Sequence, residues 1–352
     1  MKQFFLPVLC AMVAVLSFSS CSENFDVAAP YKNITVVYGL LDVNDTAHYV
    51  RIQKGFMDQT KSALTMAKVA DSSFYPNLTV KVEEMSGSSI RNTYTLTRVD
   101  LTAEGYPKDS GTFFTTPNYA YKFKAPLSPD FVYRLVITNP ATGETDSADA
   151  PVISNDPNAY SLAGPFTTSN AYLDIEHTSP NSTTLLAAGT YPPNAYIVET
   201  QIKFHYYDSN LITGAETPKS AIFSFGEVSG APGGSFVYKV KNVDIYSAMA
   251  SAIGPPANSN IVRMLDSSEL YIYSASQEFL NYLNISATQN SGLTGQEVKT
   301  AYTNIRGANV VGLFAGRSFI RDSIVGFSRQ SVDSLRINPI TAGLQIRGIS
   351  NH

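Results

Sequence analysis

Residues Tyr196–Tyr206 have the sequence YIVETQIKFHY, which carries the clearest strand signal in this chain of 352 residues. In an extended chain, successive side chains point to opposite sides. Val198, Ile202 and Phe204 therefore share one side, and polar residues such as Gln201 share the other. A strand with this pattern covers a core with one face and meets solvent with the other. The stretch predicts a protein built from half-solvated β-sheets.

The same alternation recurs along the rest of the chain. Ile34–Leu41 and His48–Lys54 predict a β-hairpin, because the turn-forming residues 42–45 lie between them. Further strands are predicted at residues 78–83, 94–96, 121–124, 133–137, 172–175, 222–225, 236–240, 309–314, 319–327 and 335–337. Strands at intervals of about ten residues, joined by turns, are typical of a β-sandwich.

Two segments have the pattern of short helices. Val243–Ile253 is followed by a Gly-Pro-Pro sequence, which stops a helix. Ala275–Gln289 has a partly apolar stripe, and Ser274 with Gln277 forms a possible capping box at its start. Residues 60–70 predict a short helix or an ordered loop.

A change in composition predicts a domain boundary. Thr145–Asn158 is rich in Asp, Ser, Ala and Pro, as linkers often are. We therefore expect a mainly β, two-domain protein. Residues 31–152 would form an immunoglobulin/fibronectin-like β-sandwich. Residues 153–352 would form a second β-rich sandwich or barrel-like domain with one or two inserted short helices.

The overall composition narrows the range of partners. Hydrophobic residues make up 44 % of the chain, which is enough for a buried core, and the 21 Tyr and 19 Phe favour strands over helical bundles. The formal net charge is −4. A mildly acidic surface argues against a nucleic-acid partner.

The N-terminal segment has the pattern of an export signal. Lys2 is followed by the apolar run Phe4–Leu16, which is shorter than the roughly 20 residues that a membrane-spanning helix needs. Small residues then lead to Cys21. We expect residues 1–20 to be a cleaved signal peptide.

Cys21 has the position of a lipid-attachment cysteine. The other cysteine, Cys10, lies inside the apolar run, so cleavage would leave a single thiol that cannot form an internal disulfide. Two or more acyl chains on one cysteine hold a protein durably on a membrane. We therefore expect lipidation of Cys21, a tether over residues 21–30 and a membrane as the first partner. The alternative is an ordinary secreted protein in which Cys21 has no such role.

Three segments resemble a known family. They are Val36–Phe56 (VVYGLLDVNDTAHYVRIQKGF), Leu270–Ser291 and Tyr302–Arg317 (YTNIRGANVVGLFAGR). They resemble uncharacterised Bacteroidota lipoproteins described as a domain of unknown function, whose genes are often associated with TonB-dependent transporters. The resemblance implies a protein on the outer membrane, at the cell surface or on the periplasmic face, with a transporter or another envelope protein as its partner. It implies no catalytic residues.

The sequence carries no motif for a cofactor or a zinc centre. The four histidines are His48, His177, His205 and His352, and no two of them have the spacing of zinc ligands. Gly307, Gly312 and Gly316 lack the lysine of a phosphate-binding loop. These glycines predict tight turns and close backbone packing.

Two groups of residues carry oxygens of the kind that calcium binds. They are Asp42, Asn44 and Asp45 in one turn, and Asp146, Asp149 and Asp156 near the predicted boundary. Neither group has the glycine and terminal glutamate of an EF-hand loop, and turn capping explains both. We therefore expect no bound metal.

Four tyrosines are candidates for ligand contact: Tyr206, Tyr207, Tyr271 and Tyr273. Aromatic rings present a broad area to a sugar ring or a protein partner. Packing in the core or between strands is the alternative.

Taken together, these features predict a non-enzymatic, lipid-anchored envelope protein that is an accessory or binding partner of an outer-membrane transport or assembly system. The alternative is a surface adhesin or a glycan-binding lipoprotein.

Overall fold

The computed structural model describes residues 34–55, 62–164, 172–176, 178–179, 181–289, 302–321 and 325–349. Strands account for 49 % and helices for 16 %, which confirms the predicted mainly β class. In this part of the chain, no helix is both long enough and apolar enough to span a membrane.

The strands of the described residues are β1 Ile34–Asp42, β2 Ala47–Gly55, β3 Thr79–Ser86, β4 Ser89–Thr95, β5 Thr97–Asp100, β6 Tyr119–Lys124, β7 Val132–Thr138, β8 Thr145–Pro151, β9 Tyr172–Leu173, β10 Thr183–Thr190, β11 Ile197–Asn210, β12 Glu216–Ser229, β13 Ser235–Lys241, β14 Ile261–Ala275, β15 Val310–Arg321, β16 Gly326–Phe327 and β17 Ile346–Ile349. The helices are α1 Ala63–Met66, α2 Ala70–Ser73, α3 Asn242–Ile253, α4 Gln277–Gln289 and α5 Arg329–Ile337.

The largest sheet has nine strands in the order β12-β11-β14-β15-β1-β2-β6-β5, with β17 beside β14. β1 and β15 pair in parallel at the middle of this sheet. A second sheet has the order β4-β3-β7-β8, and two small sheets pair β10 with β13 and β9 with β16. The predicted alternation of β11 is confirmed, since Val198, Ile202 and Phe204 are buried and Gln201 is not.

Two hydrophobic cores lie under the large sheet. The first fills the space between it and the four-stranded sheet, and includes Val37, Val50 and Leu135. The second contains Phe204, Ile272 and other residues that follow position 152. The first core also takes Ile305, Val310 and Phe314 from the C-terminal part of the chain. One sheet therefore contains strands from both predicted domains, 31–152 and 153–352, and the two-domain sandwich arrangement stays a prediction.

Glycines permit the close approach of β15 to its neighbours. A Cβ at Gly312, whose φ is +135°, would overlap the carbonyl oxygen of Val37 in β1. A Cβ at Gly316 would overlap the carbonyl oxygen of Pro151 at the end of β8. The predicted close backbone packing of these glycines is confirmed, and β15 fits between β1 and β8 because both positions lack a side chain.

Three predictions about local structure are wrong. Residues 335–337 were expected to form a strand, but they end α5, which begins after Ser328, whose Oγ accepts a hydrogen bond from the Ser331 amide at 3.1 Å. This N-cap favours a helix that buries Val332 and Leu335. Ser274 does not cap α4: it lies in β14.

The hydroxyl of Ser274 forms a 2.7 Å hydrogen bond with the buried Tyr160 hydroxyl. Ser276 stands before α4 instead, and its Oγ donates to Glu278 at 2.6 Å.

The predicted helix at Val243–Ile253 is confirmed as α3. Residues 309–314 and 319–327 were expected to form separate strands, but β15 is continuous from Val310 to Arg321.

We predict that Gly312→Ala destabilises the protein, because the methyl group meets the β1 backbone and the positive φ strains a non-glycine residue. Thermal unfolding should begin about 5 °C lower or more, which corresponds to roughly 2 kcal/mol in a protein of this size. Gly343→Ala is the matched control, since nothing lies within 4 Å of the added Cβ. Equal melting temperatures for the two variants would contradict the proposed packing.

Candidate functional site

One side of the large sheet covers the cores, and the other side carries large aromatic and charged side chains. Alternation places Tyr38 of β1, Tyr273 of β14 and Phe319 of β15 on this outer side. Helix α4 lies on the same side and packs against β15. We call this side, formed by the outward residues of β11, β14, β15, β1 and β2 together with α4, the open face.

Three aromatic rings form a group on one side of α4. Tyr273 lies opposite Phe319 in the β14–β15 ladder, and their ring centroids are 5.5 Å apart. Tyr271 adds a third ring, 6.4 Å from Tyr273 and nearly parallel to it, with an interplanar angle of 20°. Contacts at these distances are favourable between aromatic rings. The group is a half-buried aromatic surface.

A second aromatic group involves α4 itself. Tyr38, which is 44 % exposed, meets Tyr282 edge to face at 6.5 Å. Phe279 lies one helical turn before Tyr282, with 6.3 Å between their centroids. α4 is therefore fixed on the sheet by rings that remain partly open to solvent.

Two cavities flank α4. The smaller has a volume of about 300 Å³ and is lined by residues that include Glu199, Gln201, Tyr273 and Leu283. The larger has about 710 Å³ and is lined by residues that include Tyr38, Tyr49, Arg51, Tyr106 and Tyr282. Phe279 and Arg317 line both cavities. These volumes fall at the lower end and in the middle of the range for small-molecule sites, so α4 divides one groove into two halves.

A carboxylate on the open face is held by several donors. Burial of Glu269 opposes its charge, but the hydrogen bond from Tyr271 Oη at 2.6 Å, with His205 and Arg321 nearby, outweighs burial and lowers its pKa. The His205 Nε2 lies 3.2 Å from Glu269. The hydrogen bond to Glu269 and burial raise the pKa of Tyr271. Glu269 is therefore an ionised structural anchor, and Tyr271 is a neutral donor.

The first calcium candidate is a structural turn. Asp42 Oδ1 accepts a hydrogen bond from the Asn44 amide at 3.0 Å, and Asp42 Oδ2 lies 3.3 Å from Arg317 Nε. The Asn44 side chain donates to the Phe319 carbonyl at 3.0 Å and accepts from the Phe319 amide at 3.2 Å. These oxygens tie the β1–β2 turn to β15.

The second calcium candidate is dispersed. Asp149 pairs with Arg134 and with Arg306, both at 2.8 Å. Asp156 accepts from Asn158 at the start of a short 3₁₀ helix. Among the described residues, no group of three or more His, Cys, Asp or Glu side chains is placed to hold a metal ion.

The four candidate tyrosines do not form one site. Tyr271 and Tyr273 lie together on the open face. Tyr207 lies farther along β11, opposite Met264. Tyr206 is only 6 % exposed and belongs to the second core, with the Arg263 guanidinium 5.6 Å from its ring. Its ring therefore packs in the core, which is the alternative stated above for the candidate tyrosines.

The remaining candidate residues either have a structural role or lie outside the described residues. His48 is buried, and its Nε2 donates to the Ala125 carbonyl at 2.9 Å. Burial lowers the pKa of His48. Cys21, His177 and His352 lie outside the described residues.

Sequence reasoning missed most of the open face. Tyr38 stands in an apolar run, which hid its outward position, and Phe319 was assigned to a separate strand. Phe279 belongs to the apolar stripe predicted for residues 275–289, which gave no sign of a partly exposed ring. A partial signal was present in β14, where Tyr271 and Tyr273 alternate with Ile272.

The chain was compared with known proteins. No protein-family model matches it, and a search of the curated proteins found no match.

Asp146 is a buried carboxylate on the inward side of β8. It is 8 % exposed and lies so close to Gly307 that a Cβ there would overlap its Oδ1. Burial, with a smaller contribution from Glu144, raises the pKa of Asp146 to about 6. The raised pKa of this carboxyl group follows from its burial among the strands of the fold.

We predict that Asp146→Asn stabilises the protein above pH 6. The folded pKa of about 6 exceeds the reference value of 3.8, so the folded protein binds this proton more tightly than the unfolded chain. The resulting stability is present below pH 3.8 and is lost as the pH rises through 6, by up to about 3 kcal/mol. Melting temperatures should therefore differ at pH 8 and converge near pH 4.

Asp149→Asn is the matched contrast in the same strand. Burial opposes the charge of Asp149, but hydrogen bonds from Arg134 and Arg306 outweigh it and lower its pKa. This variant should be less stable than the wild type at pH 8. A destabilised Asp146→Asn at pH 8 would contradict the burial argument.

Proposed function

We propose that this protein is a non-enzymatic, lipid-anchored protein of the bacterial outer membrane, which binds an envelope partner on its open face as an accessory of a transport or assembly system. The observation that carries the binding role is the groove itself. Partly exposed aromatic rings surround two cavities that share Phe279 and Arg317. Aromatic residues and Arg are enriched at protein interfaces, where they supply most of the binding energy.

The charged groups around the groove support binding over catalysis. Glu269 is engaged by Tyr271 and faces His205 and Arg321, and Asp42 is engaged by Asn44 and Arg317. Burial raises the pKa of Tyr38 and of Tyr273, which keeps both rings neutral. A general acid or base needs a proton that it can exchange near neutral pH. The Glu269 and Asp42 carboxylates serve instead as fixed hydrogen-bond acceptors, and the tyrosine rings serve as contact area.

The N-terminal sequence supports the anchor. An apolar run of signal-peptide length leads to Cys21, and the polar residues after it lead to β1. A tether of this kind would hold the folded body close to a membrane surface while leaving the open face free to meet a partner.

We predict that Cys21→Ala releases the protein from membranes without changing its thermal unfolding, because the lipid on Cys21 is expected to act through the tether 21–30 and not through the core. Fractionation of cells that express the variant measures the release. Cys10→Ala is the matched control, since Cys10 lies within the predicted signal peptide and its loss should leave the protein in the membrane fraction. Retention of Cys21→Ala in membranes would overturn the anchor proposal.

We predict that a photo-crosslinking residue at Tyr38 joins the protein to an outer-membrane transporter or assembly protein in living cells. Tyr172 is the control position, since it is 62 % exposed and lies on β9, away from the groove. Mass spectrometry identifies the products. Crosslinks from position 38 should exceed those from position 172 by about fivefold or more, as a specific interface requires. Equal or absent crosslinking at position 38 would contradict the proposed interface.

A glycan-binding or adhesin role is the second candidate. It is favoured by the nearly parallel rings of Tyr271 and Tyr273, which lie side by side on the open face and offer aromatic surface against which a sugar ring can stack. A glycan array with the purified protein tests it. Absence of glycan binding, together with unchanged attachment of a deletion strain to surfaces, would exclude this role.

A further inference from the structure

A third cavity lies beyond the groove, at the C-terminal end of β2. It has a volume of about 600 Å³ and is lined by residues from β1, β2 and the 108–114 segment. Three of these residues are cations, Arg51, Lys54 and Lys108, whereas Asp109 is the one acid among the described lining residues. Phe113 and Phe114 supply an apolar wall. The cavity therefore combines positive charge with aromatic surface.

The three cations contact neutral groups. Arg51 Nη2 donates to the Asn118 side-chain oxygen at 2.7 Å. Lys54 Nζ donates to the backbone carbonyl of Asp71 at 2.9 Å, and Lys108 Nζ lies 3.4 Å from the Phe114 carbonyl. Within the described ranges, Arg51, Lys54 and Lys108 take part in no ion pair. Asp109 lines the same cavity and the charge of Asp100 acts on Lys108, but among the described residues neither carboxylate forms an ion pair with the three cations.

The pKa values of two of these cations are affected by their burial. Burial lowers the pKa of Arg51. Burial and the nearby charge of Arg51 lower the pKa of Lys108 and outweigh the opposing effect of the Asp100 carboxylate. Partly desolvated charges of the same sign cost free energy when no opposite charge accompanies them. An anion in the cavity would remove this cost and would gain strong, charge-assisted hydrogen bonds.

The available donors fit a multiply charged oxyanion. A guanidinium carries five N–H donors and an ammonium three, and the contacts above use one from each residue. Lys108 also lies 4.0 Å from the Phe114 ring centroid, which fixes the ammonium against the aromatic wall. Phe113 is 62 % exposed and offers a free ring at the same cavity. An occupant with charged and apolar parts would use both kinds of surface.

We propose that this cavity binds a small organic anion that carries a phosphomonoester or several carboxylates, with the charged group at Arg51 and Lys108 and the apolar part against Phe113. A phosphomonoester has a charge between −1.5 and −2 near neutral pH, which matches two adjacent cations better than a single carboxylate does. Arg51 also lines the larger cavity of the open face. The anion site therefore borders the groove but does not depend on the function proposed for it.

Isothermal titration calorimetry tests the proposal with phenyl phosphate, citrate and inorganic phosphate as probes and with benzyl alcohol as an uncharged control. Phenyl phosphate should bind saturably, and benzyl alcohol should not. Lys108→Gln should weaken the binding of phenyl phosphate about tenfold, the effect of losing one charge-assisted hydrogen bond. Lys239→Gln, which removes an exposed lysine on β13, should leave it unchanged.

Phe113→Ala separates the two parts of the site. It should weaken phenyl phosphate binding but leave the binding of inorganic phosphate unchanged. Vesicles that contain phosphatidic acid identify the source of the anion, because their binding points to a lipid headgroup and binding of the soluble probes alone points to a free metabolite. The proposal is overturned if no anionic probe binds saturably, or if Lys239→Gln weakens binding as much as Lys108→Gln.

Discussion

β1 and β15 lie side by side in parallel, from Thr35 opposite Val310 to Asp42 opposite Arg317. This ladder joins strands that are far apart in sequence and stands at the centre of the largest sheet. It also places Phe314 in the first core. At its end, the Asp42–Arg317 pair and the Asn44–Phe319 hydrogen bonds fix the β1–β2 turn against β15. The arrangement of the open face depends on this pairing.

The position of α4 follows from the same ladder. β14 and β15 are antiparallel neighbours, and α4 lies in the connection between them. The helix therefore starts at the edge of the open face and crosses it, where Tyr282 meets Tyr38 of β1. Rings from β1, β14, β15 and α4 come together only because β1 and β15 are adjacent. The groove is therefore formed by the order of the strands in the sheet, and no single segment of the chain forms it alone.

Local patterns in the sequence predicted the local structure well. The alternation in β11, the helix at α3 and the turn after β1 all depend on neighbouring residues, and each has the expected form. Ser328 illustrates a missed local signal, since its cap starts a helix where Leu335–Ile337 had suggested a strand. Tyr271 and Tyr273 lie two residues apart on one strand, so alternation alone places them on the same side of the sheet.

Contacts between distant segments were not predictable in this way. Tyr38 and Tyr282 carry no shared pattern, and their meeting requires the β1–β15 register. Tyr206 follows Phe204 on the buried side of β11, so alternation places its ring in the core, whereas its contact with Arg263 of β14 depends on the sheet packing. Arg51, Lys54 and Lys108 form one cavity because the 108–114 segment returns to β2.

The parallel ladder also sets an order of events during synthesis. β1 emerges early, whereas β15 emerges only after residue 310, so the central position of the sheet stays vacant for most of translation. Pairing over such a long sequence separation is entropically costly and slows folding. Until it occurs, one edge of β1 presents unpaired backbone groups to other chains. The segment from Val310 onward is therefore needed to cover the edge of β1, and a chain that stops before it keeps those backbone groups unpaired.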